Sequence, residues 1–372
     1  MSVAKRHIIC ALFVGLVVLS PARAADLSSP SVSSSVEIYG QINKGLLVYD
    51  DGQSTNSYIP VDNDNSSTRA GIWLHLRADP NVTIGVNVEG EWEPYSTGYV
   101  NQLTKGKIDW ETALLRKLET YVDVAAFGRV WFGQGSMASD GTAEVDLSGT
   151  SVVGYSSVAD SASAQFYRRD DGTLSSISVG STFSNLDGLG RKLRVRYDTP
   201  SLNGFVFGTS VGRQVVPSPS GRTVWDVALK YNSTLADYKM AAAIAFSDPG
   251  GSSHGIVDGS ASLLHTLNGW SLTVATGYER QSNRARQYGY AKLGHQANYF
   301  DAGTTAYSVD LYFGDDIRTN ASESWSVGGQ LVQHVDAWQS ELYLGVRSYV
   351  YEDDSSEYER GFSMLAGVRV NL

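Results

Sequence analysis

An alternation of apolar and polar residues with a period of two recurs along almost the whole chain and constrains its fold most strongly. In residues 69–77, apolar side chains occupy every second position, with polar and aromatic residues between them. A turn at 79–81 follows, and residues 82–89 repeat the pattern. Successive side chains of a β-strand point to opposite faces, so these residues predict a hairpin with one apolar and one wet face. Because helical periodicity is nearly absent, we expect an all-β protein.

The connections between the alternating segments are short and long in turn. Short turns are expected near 79–81, 127–128, 201–204, 235–236, 268–269 and 336–337. Long polar loops, rich in Gly, Ser and Asp, are expected at 50–67, 93–112, 217–222, 248–255 and 351–359. A soluble β-sandwich also has an apolar inner face, but we expect its loops to be short at both ends. Short periplasmic turns and long extracellular loops are typical of an outer-membrane barrel.

The number and length of these segments predict a transmembrane antiparallel β-barrel of about sixteen strands. Each segment has ~10 residues, enough to cross a bilayer at a tilt of ~45°. Trp, Tyr and Phe fall near the segment ends, as expected of aromatic girdles at the two membrane surfaces. No later run of ~18 apolar residues predicts a transmembrane helix. A barrel of this size encloses a water-filled channel instead of a packed centre.

The first residues have the pattern of a secretory signal peptide. Lys5 and Arg6 provide the basic start, and residues 8–19 form an apolar run that is too short to span a membrane. An A-x-A cleavage site ends at Ala24. We therefore expect a cleaved signal peptide at 1–24 and export across the inner membrane.

Cleavage would leave a mature chain with a flexible, Ser-rich leader at 25–35 and a barrel domain over 36–372. It would also remove Cys10, the only cysteine, so neither a disulfide nor thiolate chemistry is expected. Of the 29 basic residues, three lie in the signal peptide, which leaves 26 against 39 acidic ones and a net charge of −13. Since a nucleic-acid-binding surface needs a basic excess, nucleic acid is not an expected partner.

Four stretches of the chain resemble the general porins of Gram-negative bacteria. Residues 36–40 (VEIYG) are similar to their first strand, and residues 67–71 (STRAG) to the start of their second. Residues 121–133 (YVDVAAFGRVWFG) resemble their fourth and fifth strands, and residues 196–212 (RYDTPSLNGFVFGTSVG) give the most specific match. The resemblance covers essentially the whole mature chain. It implies an outer-membrane homotrimer in contact with lipid and lipopolysaccharide.

The chain departs from this family at two places. The family usually ends in Phe, which assists barrel assembly, whereas the alternation of the last segment here ends in Leu372. The usual Pro-Glu-Phe-Gly-Gly pattern of the constriction loop is also missing, and residues 135–154 occupy that position. The position and length of this stretch still imply a third loop, over 135–165, that folds into the lumen.

The resemblance further implies that this loop narrows the lumen between acidic and basic side chains. The candidate loop acids are Asp140, Glu144 and Asp146. The candidate wall residues are Arg69, which matches a wall arginine of the family, Arg116 or Lys117, near another, and Arg77, on the same face as Arg69. Opposed rows of charge would sort charged solutes by sign. Alternatively, each of these residues is an ordinary solvated charge away from the narrowing.

The expected function is therefore a porin, a passive channel for ions and small hydrophilic solutes. The acidic excess favours a weak preference for cations. No motif for a cofactor is present. Acidic pairs at 50–51, 315–316 and 353–354 could hold Ca²⁺, but they lack the spacing of a calcium loop, so solvated surface charge is favoured.

Three other classes of protein are consistent with parts of the pattern. A barrel enzyme is disfavoured because no histidine lies in a G-x-S-x-G or H-E-x-x-H context. A secreted soluble β-protein would be released without detergent. A substrate-specific channel, for sugars for example, would need aromatic rings along its lumen. Trp73, Trp131 and Tyr343 are expected to face inward, but three scattered rings do not form a track.

Overall fold

The computed structural model describes residues 33–104, 106–110, 112–219 and 221–372. The predicted signal peptide, 1–24, and most of the predicted leader lie outside the described residues. The first strand begins at Ser33, so the last residues assigned to the leader already belong to the barrel wall.

The regular secondary structure of the described chain is almost entirely β-strand. Its strands are β1 (Ser33–Asp50), β2 (Thr55–Asp62), β3 (Arg69–Asp79), β4 (Val82–Trp92), β5 (Ala113–Val124), β6 (Gly128–Ser136), β7 (Phe166–Arg168), β8 (Leu174–Ser178), β9 (Arg191–Asp198), β10 (Phe205–Arg213), β11 (Thr223–Leu235), β12 (Tyr238–Asp248), β13 (Ser253–His265), β14 (Trp270–Gln281), β15 (Ala285–Phe300), β16 (Gly303–Asp315), β17 (Glu323–Val335), β18 (Ser340–Glu352) and β19 (Gly361–Asn371). Short helical turns are formed by Asp64–Ser66, Val179–Thr182 and Asp336–Trp338.

The wall closes into a barrel because the first and last strands pair. β1 runs antiparallel to β19, from Gln41 opposite Asn371 to Asp50 opposite Phe362. On its other side, β1 pairs with β3 through its first half and with β2 through its second half. β2 and β3 therefore share one position in the wall, and the barrel has sixteen strands, as predicted. Among the described residues, closure leaves the wall without an unpaired edge strand.

Residues 50–67, predicted as a loop, contain a strand of eight residues. β2 occupies Thr55–Asp62 and continues the wall above β3. The polar start of this stretch and its lack of strict alternation concealed the strand, because two exposed residues, Ile59 and Pro60, separate the buried lumenal residues Tyr58 and Val61.

The burial pattern of the strands is apolar outside and polar inside. In β14, Leu272 and Val274 are 52% and 46% exposed, whereas the intervening Ser271 and Thr273 are buried. The same alternation recurs around the wall, where large apolar side chains make up the outer surface. Such a surface is unfavourable in water, at roughly 25 cal/mol per Å², and is stable in hydrocarbon. Within the described residues, no helix is long and apolar enough to cross a membrane.

Residues 137–190, between β6 and β9, fold into the barrel; we call them the internal segment. They contain the β7–β8 hairpin and the short helix Val179–Thr182. Val153 packs beside Gly345 of the wall, and Phe183 packs edge-on against Tyr312 and Tyr349. Buried apolar residues of the segment and of the lumenal wall form one cluster, so this part of the barrel has a packed core. The segment is longer than the constriction loop expected at 135–165.

Candidate functional site

Three basic side chains lie together on the inner wall of β3 and β5. Arg69 begins β3, and Arg116 and Lys117 are consecutive on β5. The pairing of β4 with β5 shifts register between Glu89 and Gly90, and Arg116 is the extra residue of this bulge. A bulge changes the direction of the side chains that follow it. Arg116 and Lys117 consequently both reach the carboxylate of Glu89, which strict alternation would not allow.

Most of the positive charge in this group is compensated by wall carboxylates. Arg116 Nε donates to Glu89 Oε1 at 2.6 Å, and Arg116 also pairs with Glu91. Lys117 Nζ lies 3.5 Å from Glu89 Oε2. Among the described residues, Arg69 has no ion-pair partner; its guanidinium approaches only the backbone and hydroxyl oxygens of Ser67. Arg69 is therefore the uncompensated charge of the group.

Further along the wall, other arginines are neutralised in the same way. Arg194 pairs with Glu119, and both side chains are buried. Arg196 Nε lies 2.9 Å from Asp198 Oδ1. Arg77, by contrast, is exposed near the turn that joins β3 to β4, at the end of the barrel opposite the long loops. The structure thus separates Arg77 from the group around Arg69.

Two of the candidate loop acids lie at the root of the internal segment. Glu144 Oε1 accepts a hydrogen bond of 2.9 Å from Asn185 Nδ2. Asp187, beyond the range considered from sequence, accepts the backbone N–H groups of Gly141 and Ala143 at 2.8 and 2.9 Å. Asp140 lies in the same turn, and Lys230 of the wall donates to its backbone oxygen at 3.1 Å. Carboxylates from both ends of the segment are therefore concentrated in one place.

This concentration of acids changes their ionisation. Burial and the nearby carboxylate of Asp187 raise the pKa of Glu144 well above its ordinary value. Burial and Asp140 raise the pKa of Asp187 to about 6. In a region of low dielectric, like charges disfavour the ionised form of each group. The negative charge at the root of the segment therefore depends on pH in the neutral to mildly acidic range.

The third candidate loop acid has a different environment. Asp146 Oδ2 accepts a hydrogen bond of 2.7 Å from Lys292 Nζ of β15, and the two side chains are 2% and 0% exposed. Lys292 also donates to the carbonyl oxygen of Gly154 at 2.7 Å. Asp146 is consequently withdrawn from solvent, and its charge is compensated. It anchors the internal segment to the wall, in contrast to the free lumenal charge expected from sequence.

The structure therefore places the sequence candidates in separate locations. Arg69, Arg116 and Lys117 form one basic group, and Asp140 and Glu144 form one acidic group. No hydrogen bond or ion pair joins the two groups among the described residues. The wall acids Glu89 and Glu119, which compensate the arginines, are not among the site residues predicted from the sequence. Alternation in the sequence could have identified Glu89, because it places this residue on the polar face of its strand.

The lumenal aromatic rings differ from the expected arrangement. Tyr343 does face inward, but it is buried and donates to Asn43 Oδ1 at 2.7 Å. Trp73 and Trp131 are not scattered, because their ring centroids lie 6.3 Å apart and Tyr121 lies within 6.0 Å of both. Sequence separation concealed this cluster, since β3, β5 and β6 meet only when the wall is assembled.

The acidic pairs of the long loops form hydrogen bonds and ion pairs with their surroundings. Burial opposes ionisation of Asp51, but hydrogen bonds from Arg168 and the backbone of Ser54 and Gln53 outweigh it and lower its pKa to about 2. Arg168 belongs to β7, so this ion pair joins the first loop to the internal segment. In the part of the chain that the structure describes, no group of three or more acidic or histidine residues could hold a metal ion.

Comparison with known proteins supports the architecture. No protein-family model matches the chain, and no curated protein matches it in sequence. Solved structures do match. An anion-selective porin from Comamonas acidovorans superposes with a TM-score of 0.59 and 13% identity, over 91% of this chain and 100% of that chain.

Two other solved structures match over the same share of this chain. In vitro folded OmpT, an outer membrane protein of Vibrio cholerae, in its trimer form, has a TM-score of 0.56 and 13% identity, over 91% of this chain and 100% of that chain. The outer membrane channel DcaP of Acinetobacter baumannii has a TM-score of 0.55 and 9% identity, over 91% of this chain and 98% of that chain. At these identities, the similarity establishes a shared barrel fold.

Proposed function

We propose that this protein is a divergent outer-membrane porin, which forms a water-filled channel for passive diffusion of ions and small hydrophilic solutes. The observation that carries the proposal is the closed wall of sixteen strands, apolar outside and lined with charged and polar side chains inside. An apolar exterior requires hydrocarbon, and a polar interior holds water. No catalytic step is part of this function.

The lumenal charges define the proposed constriction. The basic group of Arg69, Arg116 and Lys117 and the acidic group of Asp140 and Glu144 flank the water path, on the wall and on the internal segment respectively. Arg77 contributes only at the short-turn mouth. Asp146 contributes indirectly, because its ion pair with Lys292 holds the segment in place. The constriction loop is thus the whole internal segment.

The channel has a weak preference for cations. Arg116 and Arg194 of the wall are compensated by carboxylates, whereas acidic residues are in excess over the whole chain and several lie on the long loops. An acidic mouth raises the local concentration of cations. The structural relative from Comamonas is anion-selective, so the sign of the preference here follows from this chain's own charges.

The protein reaches its membrane by cleavage of residues 1–24 and assembles as a homotrimer, in contact with lipid and lipopolysaccharide. The trimer form of OmpT from Vibrio cholerae supports the oligomer by analogy. Mass spectrometry of the exported protein would show a chain that starts at Ala25. Chemical cross-linking in detergent would show the trimer; a monomer under all conditions would contradict this part of the proposal.

Planar-bilayer conductance is the test of the channel. We expect stepwise, ohmic increases in current after insertion of the purified protein. A salt gradient across the bilayer should give a small reversal potential of the sign that indicates cations. Absence of any current would contradict the channel, and a clear anion preference would contradict the selectivity. Protease and lipase assays of the same preparation test the enzymatic alternative, and hydrolysis above background would support that alternative.

A further inference from the structure

Four aromatic side chains from three strands form one cluster on the inner wall: Trp73 and His75 of β3, Tyr121 of β5 and Trp131 of β6. We call it the aromatic cluster. Trp73 stacks on His75, with centroids 5.3 Å apart and planes inclined by 15°. Tyr121 and Trp131 lie 4.9 Å apart. Trp73 joins these pairs at 6.0 Å from Tyr121 and 6.3 Å from Trp131, so the four rings form a continuous surface.

The aromatic cluster lies in the half of the lumen near the short turns. Tyr121 is directly opposite Trp131, close to the turn that joins β5 to β6. Among the described residues, no hydrogen bond or ring contact joins the cluster to the internal segment. Tyr121 is buried, whereas Trp73, His75 and Trp131 are only half-buried. Aromatic surface therefore remains accessible from the lumen, an arrangement that costs free energy unless a solute covers it.

The surroundings of the cluster hold its rings in place. Gly85 lies beneath the ring of Tyr121, and a Cβ at this position would overlap that ring. The hydroxyl oxygen of Tyr121 lies 3.0 Å from His75 Nδ1. Trp131 Nε1 donates to Asp198 Oδ2 at 2.9 Å. Rings that are fixed before binding lose little conformational entropy when a solute stacks on them.

The charges around the cluster restrict the kind of solute that it can bind. The guanidinium of Arg129 lies 4.3 Å from the centroid of Tyr121 and 5.2 Å from that of Trp131, so a cation already occupies the favourable cation–π position. Arg129 is itself paired with Asp123 at 2.5 Å, which leaves little net charge to attract an anion. Solutes of either charge are therefore disfavoured relative to neutral ones.

A neutral solute for this surface needs an apolar face for the rings and hydroxyl groups for the flanking polar side chains. The Arg129–Asp123 pair is partly exposed and supplies donors and acceptors at the edge of the aromatic surface. Sites that combine aromatic surfaces with a few placed polar groups bind small molecules of this mixed character. We propose that the aromatic cluster is a binding site for a saccharide ring in transit through the channel. This inference rests on the proposed channel function.

The test is block of the ion current by a neutral sugar. We expect maltotriose, added to a conducting channel in a planar bilayer, to interrupt the current in a saturable way. A poly(ethylene glycol) of the same hydrodynamic size should reduce the current only in proportion to its concentration. The W131L variant should weaken maltotriose binding by roughly threefold to tenfold, as expected for one lost ring contact. The W131F variant, which retains a ring, should bind maltotriose with an affinity between those of the unmodified protein and W131L.

The matched control is W270L, which makes the same Trp-to-Leu change at a residue that lies exposed on the outer wall. Its sugar affinity should equal that of the unmodified protein. Circular dichroism and unblocked conductance show whether each variant is folded and open. Saturable block by maltotriose that is unchanged in W131L, or block no stronger than that of the polymer, would overturn the saccharide site while leaving the channel intact. A protein that carries no current at all would contradict the channel function itself.

Discussion

Lys292 Nζ of the barrel wall lies 2.7 Å from Asp146 Oδ2 of the internal segment, and neither side chain is accessible to solvent by more than 2%. This ion pair joins two parts of the chain that are far apart in sequence. Because the two charges are compensated only by each other and by neighbouring polar groups, the position of the segment depends on both.

Replacement of Lys292 by Met should release the internal segment. It leaves the buried carboxylate of Asp146 without an ion-pair partner, at a cost of about 3–5 kcal/mol. We expect faster cleavage of the segment by proteinase K and a noisier, larger single-channel current. The double variant D146N/K292M should restore much of the protection, since no unpaired charge remains.

The matched control for this experiment is R347M. Arg347 pairs with Asp310 in the same buried manner, but both residues belong to the wall. We expect this variant to lower the unfolding temperature of the barrel without selective cleavage of the internal segment. Equal rates of cleavage in R347M and K292M would show that the Asp146–Lys292 pair has no special role in holding the segment.

Replacement of Arg69 by Gln should shift ion selectivity toward cations. Arg69 has no ion-pair partner among the described residues, so its loss removes an uncompensated positive charge from the proposed constriction. A unit charge at about 4 Å contributes about 1 kcal/mol in water, with opposite sign for a cation and an anion. The cation-to-anion permeability ratio should therefore rise by up to about thirtyfold. Reversal potentials in a salt gradient measure this ratio.

The R77Q variant provides the comparison. It removes the same charge from the exposed mouth of the barrel, where water and salt screen it. Its reversal potential should change little. A larger shift in R77Q than in R69Q would place the selectivity-determining region at the short-turn mouth.

The cation preference should decrease as the pH falls from 8 to 5. Burial and the adjacent Asp140 raise the pKa of Asp187 to about 6, so this carboxyl group is charged above that pH and neutral below it. Loss of negative charge from the segment reduces attraction for cations. The D187N variant should show a weaker preference at pH 8 and a smaller step near pH 6.

The D171N variant controls for this effect. Asp171 is exposed in the β7–β8 turn, and hydrogen bonds from the side chain and backbone of Thr173 lower its pKa, so it does not titrate near pH 6. The step should persist in D171N. If D187N retains the full step, another group must be responsible for the pH dependence.

A side chain at Gly85 should destabilise the barrel. The added Cβ of G85A would overlap the ring of Tyr121, so this ring, which packs against Trp131, must shift. Overpacking of this kind costs about 1–3 kcal/mol. The G289A variant should have almost no effect, because an added Cβ at Gly289 meets no atom within 4 Å. Thermal unfolding in detergent compares the two, and equal unfolding temperatures would contradict the prediction.

Much of the fold could be predicted because a β-strand presents alternate residues to opposite faces. The pattern around Ala70 and Leu272 already specifies an all-β wall with one apolar surface. The alternation of short and long connections indicates which end of each hairpin faces the periplasm and which faces the cell exterior. β2 was missed, because its polar residues have the composition of a loop while Tyr58 and Val61 point into the barrel.

Less of the candidate site than of the fold could be predicted from the sequence. The sequence by itself determined that Arg69 and Glu89 belong to the wet face and that Asp140 and Glu144 belong to a loop, because period and composition are local properties. Only the tertiary structure decided which charges are compensated. A register shift places Arg116 and Lys117 on the same carboxylate.

The long-range contacts, too, were decided only by the tertiary structure. The pairing of Asp146 with Lys292 and the assembly of Trp73, Tyr121 and Trp131 into one surface depend on strand order, register and closure of the barrel. These relations bring together residues that are distant along the chain. Their geometry exists only once the wall has closed and the internal segment has packed against it, so no local pattern of residues encodes it.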